Sequence, residues 1–247
     1  MTMQRIRKCL DRDTIKLVTM GMMLFTHTVS WLDPPAYPEY PTWLLVLSTL
    51  GLFAPPAMFW FLADGFRYTK SRKKYARRLL LCACLTQIPT WLLFAKTDGW
   101  WESNVLFTLF FALLALMAWE SGKARWVRIA CVVLCCLATF AIQSDWLAFG
   151  VLYPFFLHVF REKPRKKLIA YTVLSVVHAG IMFVTYSGRM RLIGGVGEFI
   201  VLMASYFVLN CLYSGKKSTH FRIPAWVFYA FYPAHCLLIF ALRFVLR

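Results

Sequence analysis

Nine apolar runs follow one another along this chain, over roughly residues 14–32, 43–64, 79–95, 104–120, 127–143, 146–160, 168–186, 192–213 and 225–245. A helix that crosses a hydrocarbon core of about 30 Å needs about 20 predominantly apolar residues at about 1.5 Å each, and most of these runs supply them. Inside lipid the backbone must satisfy its own hydrogen bonds, so runs of this length are read as helices. With 60% hydrophobic and 16% charged residues among 247, the chain is expected to be an all-α polytopic membrane protein of about nine transmembrane helices, forming a single integral membrane domain over 1–247. The sixth run, interrupted by Gly150, Tyr153 and Pro154, is the least regular. Arg5-Ile6-Arg7-Lys8 before the first run resembles the start of a secretory signal, but the run is too long and lacks a small-x-small cleavage site, so it reads as a retained helix. Pro55-Pro56 inside the second run removes two backbone donors and predicts a kink.

A net charge of +17 raises the question of nucleic acid. The basic residues, however, occupy short connections between spans rather than a soluble domain, and topology accounts for them; no nucleic-acid partner is expected. Alternate connections hold 22 of the 28 Lys and Arg on one side and five on the other, with Lys16 inside the first span. That asymmetry predicts a cytoplasmic N-terminus and an external C-terminus. The eight cysteines fall almost entirely within apolar runs, follow neither a zinc spacing nor an extracellular disulfide framework, and read as small hydrophobes between helices; no metal is expected. Pro34, Pro35, Pro38 and Pro41, in a connection without Lys or Arg, predict an irregular external lid, and Trp100-Trp101 fit an interfacial aromatic belt.

Ionisable side chains within spans are costly, and each is a candidate for function. His27 lies about 13 residues, roughly 20 Å, along the first helix from Thr14. Glu198 is the one acid well inside a span, beside Gly194, Gly195 and Gly197, which permit close helix approach. A packing contact with Glu198 paired to Arg191 or reaching the interface is the alternative. His178 and His235, the latter next to Pro233, come out within about one turn of the same depth, so a buried polar cluster is geometrically allowed. Depth carries no information about azimuth. The segment Arg67 to Arg78, with Tyr68 and Tyr75 interleaved, follows the helix end at Asp64-Gly65 and is the densest basic stretch; its plainest reading is a solvated loop that fixes topology.

Several of these segments together resemble the TraX family, membrane proteins associated with acetylation of conjugative pilin and related to transmembrane acyltransferases. The resemblance runs nearly end to end. It rests on Arg12-Asp13-x-Ile15-Lys16 leading to Met23-x-x-x-His27, on Gly65-Phe66-x-Tyr68-Thr69 leading to Tyr75-x-x-Arg78-Leu79, on Asn104-x-Leu106-Phe107-Thr108-Leu109, and on Phe228-Tyr229-x-Phe231-Tyr232-Pro233-x-His235. Two positions depart from the usual pattern: Thr26 stands where the family usually has Asp, which removes a carboxylate beside His27, and Asp64 stands where it usually has Glu.

The resemblance implies acetyl-CoA as co-substrate, met on the cytoplasmic side of a bacterial inner membrane, and an envelope-associated acceptor amine or hydroxyl on a pilin-like peptide or glycan. His27, with His235 and Glu198, is then the candidate catalytic group, acting as general base or acyl carrier. Asp64, Arg67, Tyr68, Lys70, Tyr75, Arg77 and Arg78 are the candidates to bind CoA, whose phosphates suit charge-assisted hydrogen bonds from Arg and Lys. A transporter or flippase for an amphipathic anion uses the same intramembrane polar residues equally well, and a non-enzymatic assembly factor for a surface polymer is the third reading.

Overall fold

The computed structural model describes residues 8–31, 41–94 and 102–245. Among these, nine helices follow the nine apolar runs: α1 Arg12–Trp31, α2 Thr42–Tyr68, α3 Arg72–Phe94, α4 Val105–Trp119, α5 Arg125–Ala141, α6 Leu147–Val159, α7 Pro164–Thr185, α8 Gly188–Leu212 and α9 Ala225–Val245. The protein is an all-α polytopic membrane protein. Helices α2, α7, α8 and most of α9 are long and apolar enough to cross a bilayer by length and composition alone. The expected lid over 32–40 and the Trp100-Trp101 belt lie outside the described residues.

The prolines of α2 act one turn earlier than their own positions. The helix is interrupted at Leu52 and Phe53, whose amides turn to Thr49 O (3.0 Å) and Leu50 O (3.2 Å), and Pro55 and Pro56 fall in the first turn of the segment that restarts at Ala54. Their missing amides would have gone to carbonyls 51 and 52, so the chain bends where those bonds cannot form and resumes where a proline costs little.

The helices pack as two compact units. One comprises residues 1–57 and 175–231, the other 58–174 and 232–247, so α2, α7 and α9 each contribute to both. In the first unit, Asp11 caps α1 by accepting from the Thr14 amide (2.8 Å). Buried Asp13 accepts from the amides of Ser218 (3.0 Å) and Ile223 (3.3 Å). Arg12 donates to the Tyr213 hydroxyl (3.2 Å), and Lys16 Nζ lies 3.9 Å from the centre of the Phe228 ring. Arg12-Asp13-x-Ile15-Lys16 is therefore a clamp that ties the start of α1 to the connection between α8 and α9. Farther along, the Thr26 side chain of α1 packs directly on the α2 backbone: a Cβ on Gly51 would fall 1.6 Å from Thr26 Oγ1. Only glycine fits there.

The second unit is built around its two shortest helices. At 15 and 13 residues, α4 and α6 measure about 22 and 20 Å, short of a hydrocarbon core. The start of α4 and the connection into α6 find their partners in protein. At the start of α4, Asn104 accepts from the Leu106 amide (3.0 Å) and donates to Ala83 O (3.0 Å) and Gln87 Oε1 (2.8 Å), while Gln87 Nε2 donates to Glu102 O (2.8 Å). Thr108 bonds both Ser144 and the Asp145 carbonyl, which fixes the connection into α6. Gly150 of α6 lets that helix close on α4, since a Cβ there would meet Thr108 Cγ2 at 2.4 Å. Arg243 of α9 donates to the Leu93 carbonyl at the end of α3 (2.7 Å).

Asn104→Leu should therefore strip the cap of α4 and leave the Ala83 carbonyl and part of Gln87 unpaired. A lost cap costs about 0.5–2 kcal/mol and each unsatisfied buried group about 1–3 kcal/mol. The thermal midpoint in detergent should fall by at least about 4 °C. Asn104→Ser, which keeps a neutral cap acceptor, should fall by less.

Candidate active site

Among the sequence candidates, the first unit brings two into direct contact. His178 of α7 and Glu198 of α8 meet at 2.5 Å between Nδ1 and Oε1, with both side chains more than nine-tenths buried. The alternative partner for Glu198 is engaged elsewhere: Arg191 Nε donates to Tyr186 O (3.2 Å), and its guanidinium lies over the Phe183 ring. Two features of α8 make the pairing possible. Residues Arg191–Gly197 form a π-helical stretch, one that widens the turn just before Glu198. Gly194 and Gly195 then let α8 sit on Tyr186, just past the end of α7, and on Phe183 of α7 so closely that Cβ atoms would come within 2.9 and 2.7 Å of their side chains.

His27 lies in the same unit, half-buried on α1. Its neighbour Thr26, at the position where the related pattern has Asp, faces Gly51 and returns its hydroxyl to the Met22 carbonyl (2.8 Å). Two residues before Gly51, the Thr49 methyl faces Gly197, the residue before Glu198. These two contacts on α2 lie about 3 Å apart along its axis. They put His27 and Glu198 at a common level, with α2 packed against the helices of both. His235 belongs to the second unit, buried on α9 between Tyr232, whose ring it meets edge-on at 5.2 Å, and Cys236, whose sulfur is 3.8 Å from Nε2. Nearby, Asp145 is exposed as a residue, but its carboxyl is crowded by protein; that burial and Glu102 push it up to about 6. Among the described residues, no group of three His, Cys, Asp or Glu side chains is arranged to hold a metal.

The candidate CoA-binding residues divide by what they touch. Arg77, Arg78, Lys70, Arg67 and Tyr68 are exposed, with the Arg67 guanidinium over the Tyr68 ring at 5.4 Å. Half-buried Tyr75 packs on Gly65, next to half-buried Asp64. A second ionisable cluster, missed by the sequence reading, stands behind them. Glu120, at the end of α4, accepts from His158 Nε2 of α6 (2.9 Å) and pairs with Arg72 at the start of α3 (3.5 Å). Arg72 also lies 4.1 Å over the Phe66 ring, whose other neighbour is the buried His158 imidazole at 5.0 Å. The cluster thus binds the ends of α2, α4 and α6 to the helix that carries Arg77 and Arg78. The signal was present only weakly, because each member sits at a span end, where charge is ordinary.

The His158 hydrogen bond, with Arg72 and Arg161 adding, holds the Glu120 carboxyl below its usual 4.5, against a smaller opposing effect of burial. Its stabilisation is present above pH 4.5 and is lost as pH falls through the lowered folded value. Thermal midpoints measured from pH 6 downward should therefore fall in the parent, and Glu120→Gln should start lower at pH 6 and fall less.

The sequence profile described as TraX protein matches residues 11–243. A probable fimbrial assembly protein, FimC of serogroup H1, from Dichelobacter nodosus is 29% identical over 215 residues, which cover 81% of this chain and 84% of that one. No solved structure matches the chain. The profile spans all nine helices, including the clamp at Arg12-Asp13, the Asn104 cap and the α9 segment around His235, and the chain belongs to the TraX family.

Proposed function

We propose that the protein is an integral membrane acyltransferase that moves an acetyl group from acetyl-CoA to an amine or hydroxyl of an envelope-associated acceptor, a pilin-like peptide before a glycan. The observation that carries this reading is the buried contact between His178 and Glu198. A carboxylate on Nδ1 fixes the imidazole's tautomer and orientation and stabilises the imidazolium that forms when Nε2 takes a proton from an attacking nucleophile. The acceptor then attacks the thioester carbonyl, the carbon–sulfur bond breaks, and the thiolate leaves with a proton returned by the imidazolium. His27, level with the pair, is the second candidate base or the acyl carrier, and His235 in the other unit is the third. Arg77 and Arg78 on α3 are exposed, and their guanidinium groups suit the CoA phosphates. The fimbrial assembly relative supports a pilin-like acceptor, and the asymmetry of basic residues supports an inner-membrane protein with its basic connections in the cytoplasm.

The test separates binding from chemistry. Purified protein in lipid nanodiscs is titrated with acetyl-CoA, and incorporation of labelled acetyl groups into pilin N-terminal peptide is measured. His178→Ala and Glu198→Gln should retain acetyl-CoA binding and lose transfer by about 10²- to 10⁴-fold. His27→Ala should lose transfer to a similar degree if it carries the acyl group, and little if it only packs. Arg77→Gln with Arg78→Gln should weaken binding more than Lys123→Gln with Arg125→Gln. A parent protein that binds no CoA thioester would leave the anion transporter and the assembly factor as the surviving readings.

A further inference from the structure

A groove of about 390 Å³ runs between the first segment of α2 and the outer face of α8 in the first unit. Its walls are nearly all carbon, from Val46, Leu50, Leu192, Val196 and Ile200, and its floor is opened by Gly197, which has no side chain to fill it. From Leu192 to Ile200 the groove extends about 12 Å along the axis of α8. One end is charged. Arg189 Nη1 donates to Thr42 Oγ1 at 2.7 Å, joining the first residues of α8 and α2 just beyond Leu192 and Val46.

We propose that this groove seats one acyl chain of an anionic glycerophospholipid, with the lipid phosphate held by Arg189. The volume lies within the usual range of about 300–1,000 Å³ for small-molecule sites. A helix of a protein partner, about 10–12 Å across with its side chains, does not enter a slot of this size, whereas an unbranched chain does. Charge at one end and a dozen ångströms of apolar wall below it match a phospholipid with its headgroup at the interface. A phosphate accepts bonds from guanidinium groups in their fork geometry. The inference stands independently of acyl transfer.

Native mass spectrometry of the full-length protein in detergent, titrated with dioleoylphosphatidylglycerol or dioleoylphosphatidylcholine, tests it. One phosphatidylglycerol should bind in preference to phosphatidylcholine. Val196→Trp and, separately, Ile200→Trp fill the groove from its lipid-facing wall, leaving the core intact, and each should remove that adduct at least about tenfold in apparent affinity. Arg189→Gln should bring phosphatidylglycerol down to the phosphatidylcholine level, a loss on the order of tenfold or more at low salt, and Arg189→Lys should keep most of the preference. Arg77→Gln with Arg78→Gln should leave it unchanged. The proposal is overturned if the parent shows no preference, if both tryptophan variants with parental helicity keep the adduct, or if the preference disappears with Arg77 and Arg78 instead. It is equally overturned if the parent is a dimer that Val196→Trp dissociates without changing lipid binding, since the groove would then belong to a second copy.

Discussion

Every amide and carbonyl inside a bilayer needs a partner from the protein itself, and in this chain that requirement decides more than the choice of helix. Helices α4 and α6 are too short to span a hydrocarbon core, and they start on partners from the protein. The Asn104 and Gln87 side chains supply the first turn of α4, and Thr108 and Ser144 fix the connection that leads into α6. These groups have no chemistry to perform, yet two short helices can occupy the centre of the second unit only because of them. The same constraint explains the interruption of α2, where the carbonyls abandoned by two prolines define the bend.

Most of the architecture was legible in the sequence because hydropathy registers length, and length is what a bilayer selects. All nine runs became helices, and the sixth, the least regular as a string, is the shortest of them. The site was legible only in part. His178 and Glu198 stood out as ionisable groups at matching depth, but their contact depends on azimuth, and azimuth is counted at 3.6 residues per turn. The π-helical stretch over Arg191–Gly197 breaks that count one residue before Glu198. His158 and Glu120 escaped notice for a different reason, since a carboxylate at the end of one span and a histidine near the end of another are each unremarkable until packing joins them.

Family-like segments that look alike on the page turn out to serve different ends. Arg12-Asp13-x-Ile15-Lys16 anchors a loop, Asn104 caps a helix, and Gly65-Phe66 with Tyr75 belongs to the framework beneath the basic segment. Thr26 carries a particular lesson. A carboxylate there would have pointed a charge at Gly51 beside His27, whereas the threonine hydroxyl satisfies itself on the Met22 carbonyl. The intramembrane acid of this protein is instead on α8, where a histidine from the neighbouring helix meets it.

The widened stretch of α8 also bears on how such a chain tolerates insertions and deletions. A π-helical turn accommodates an additional residue within an otherwise α-helical segment, so Arg191–Gly197, like Val208–Leu212 at the other end of α8, holds a residue in surplus. Winding the seven residues Arg191–Gly197 into ordinary α-helix without removing one would turn Glu198 by about 100° relative to the residues before it. Deleting one of the seven would instead give a more regular helix in which Glu198 keeps nearly its present direction, because the wide turn had already absorbed the extra residue. A one-residue change of length is thus absorbed within Arg191–Gly197 by the width of a turn, whereas in the α-helical stretch from Glu198 to Phe207 it would rotate every residue beyond it by about 100°.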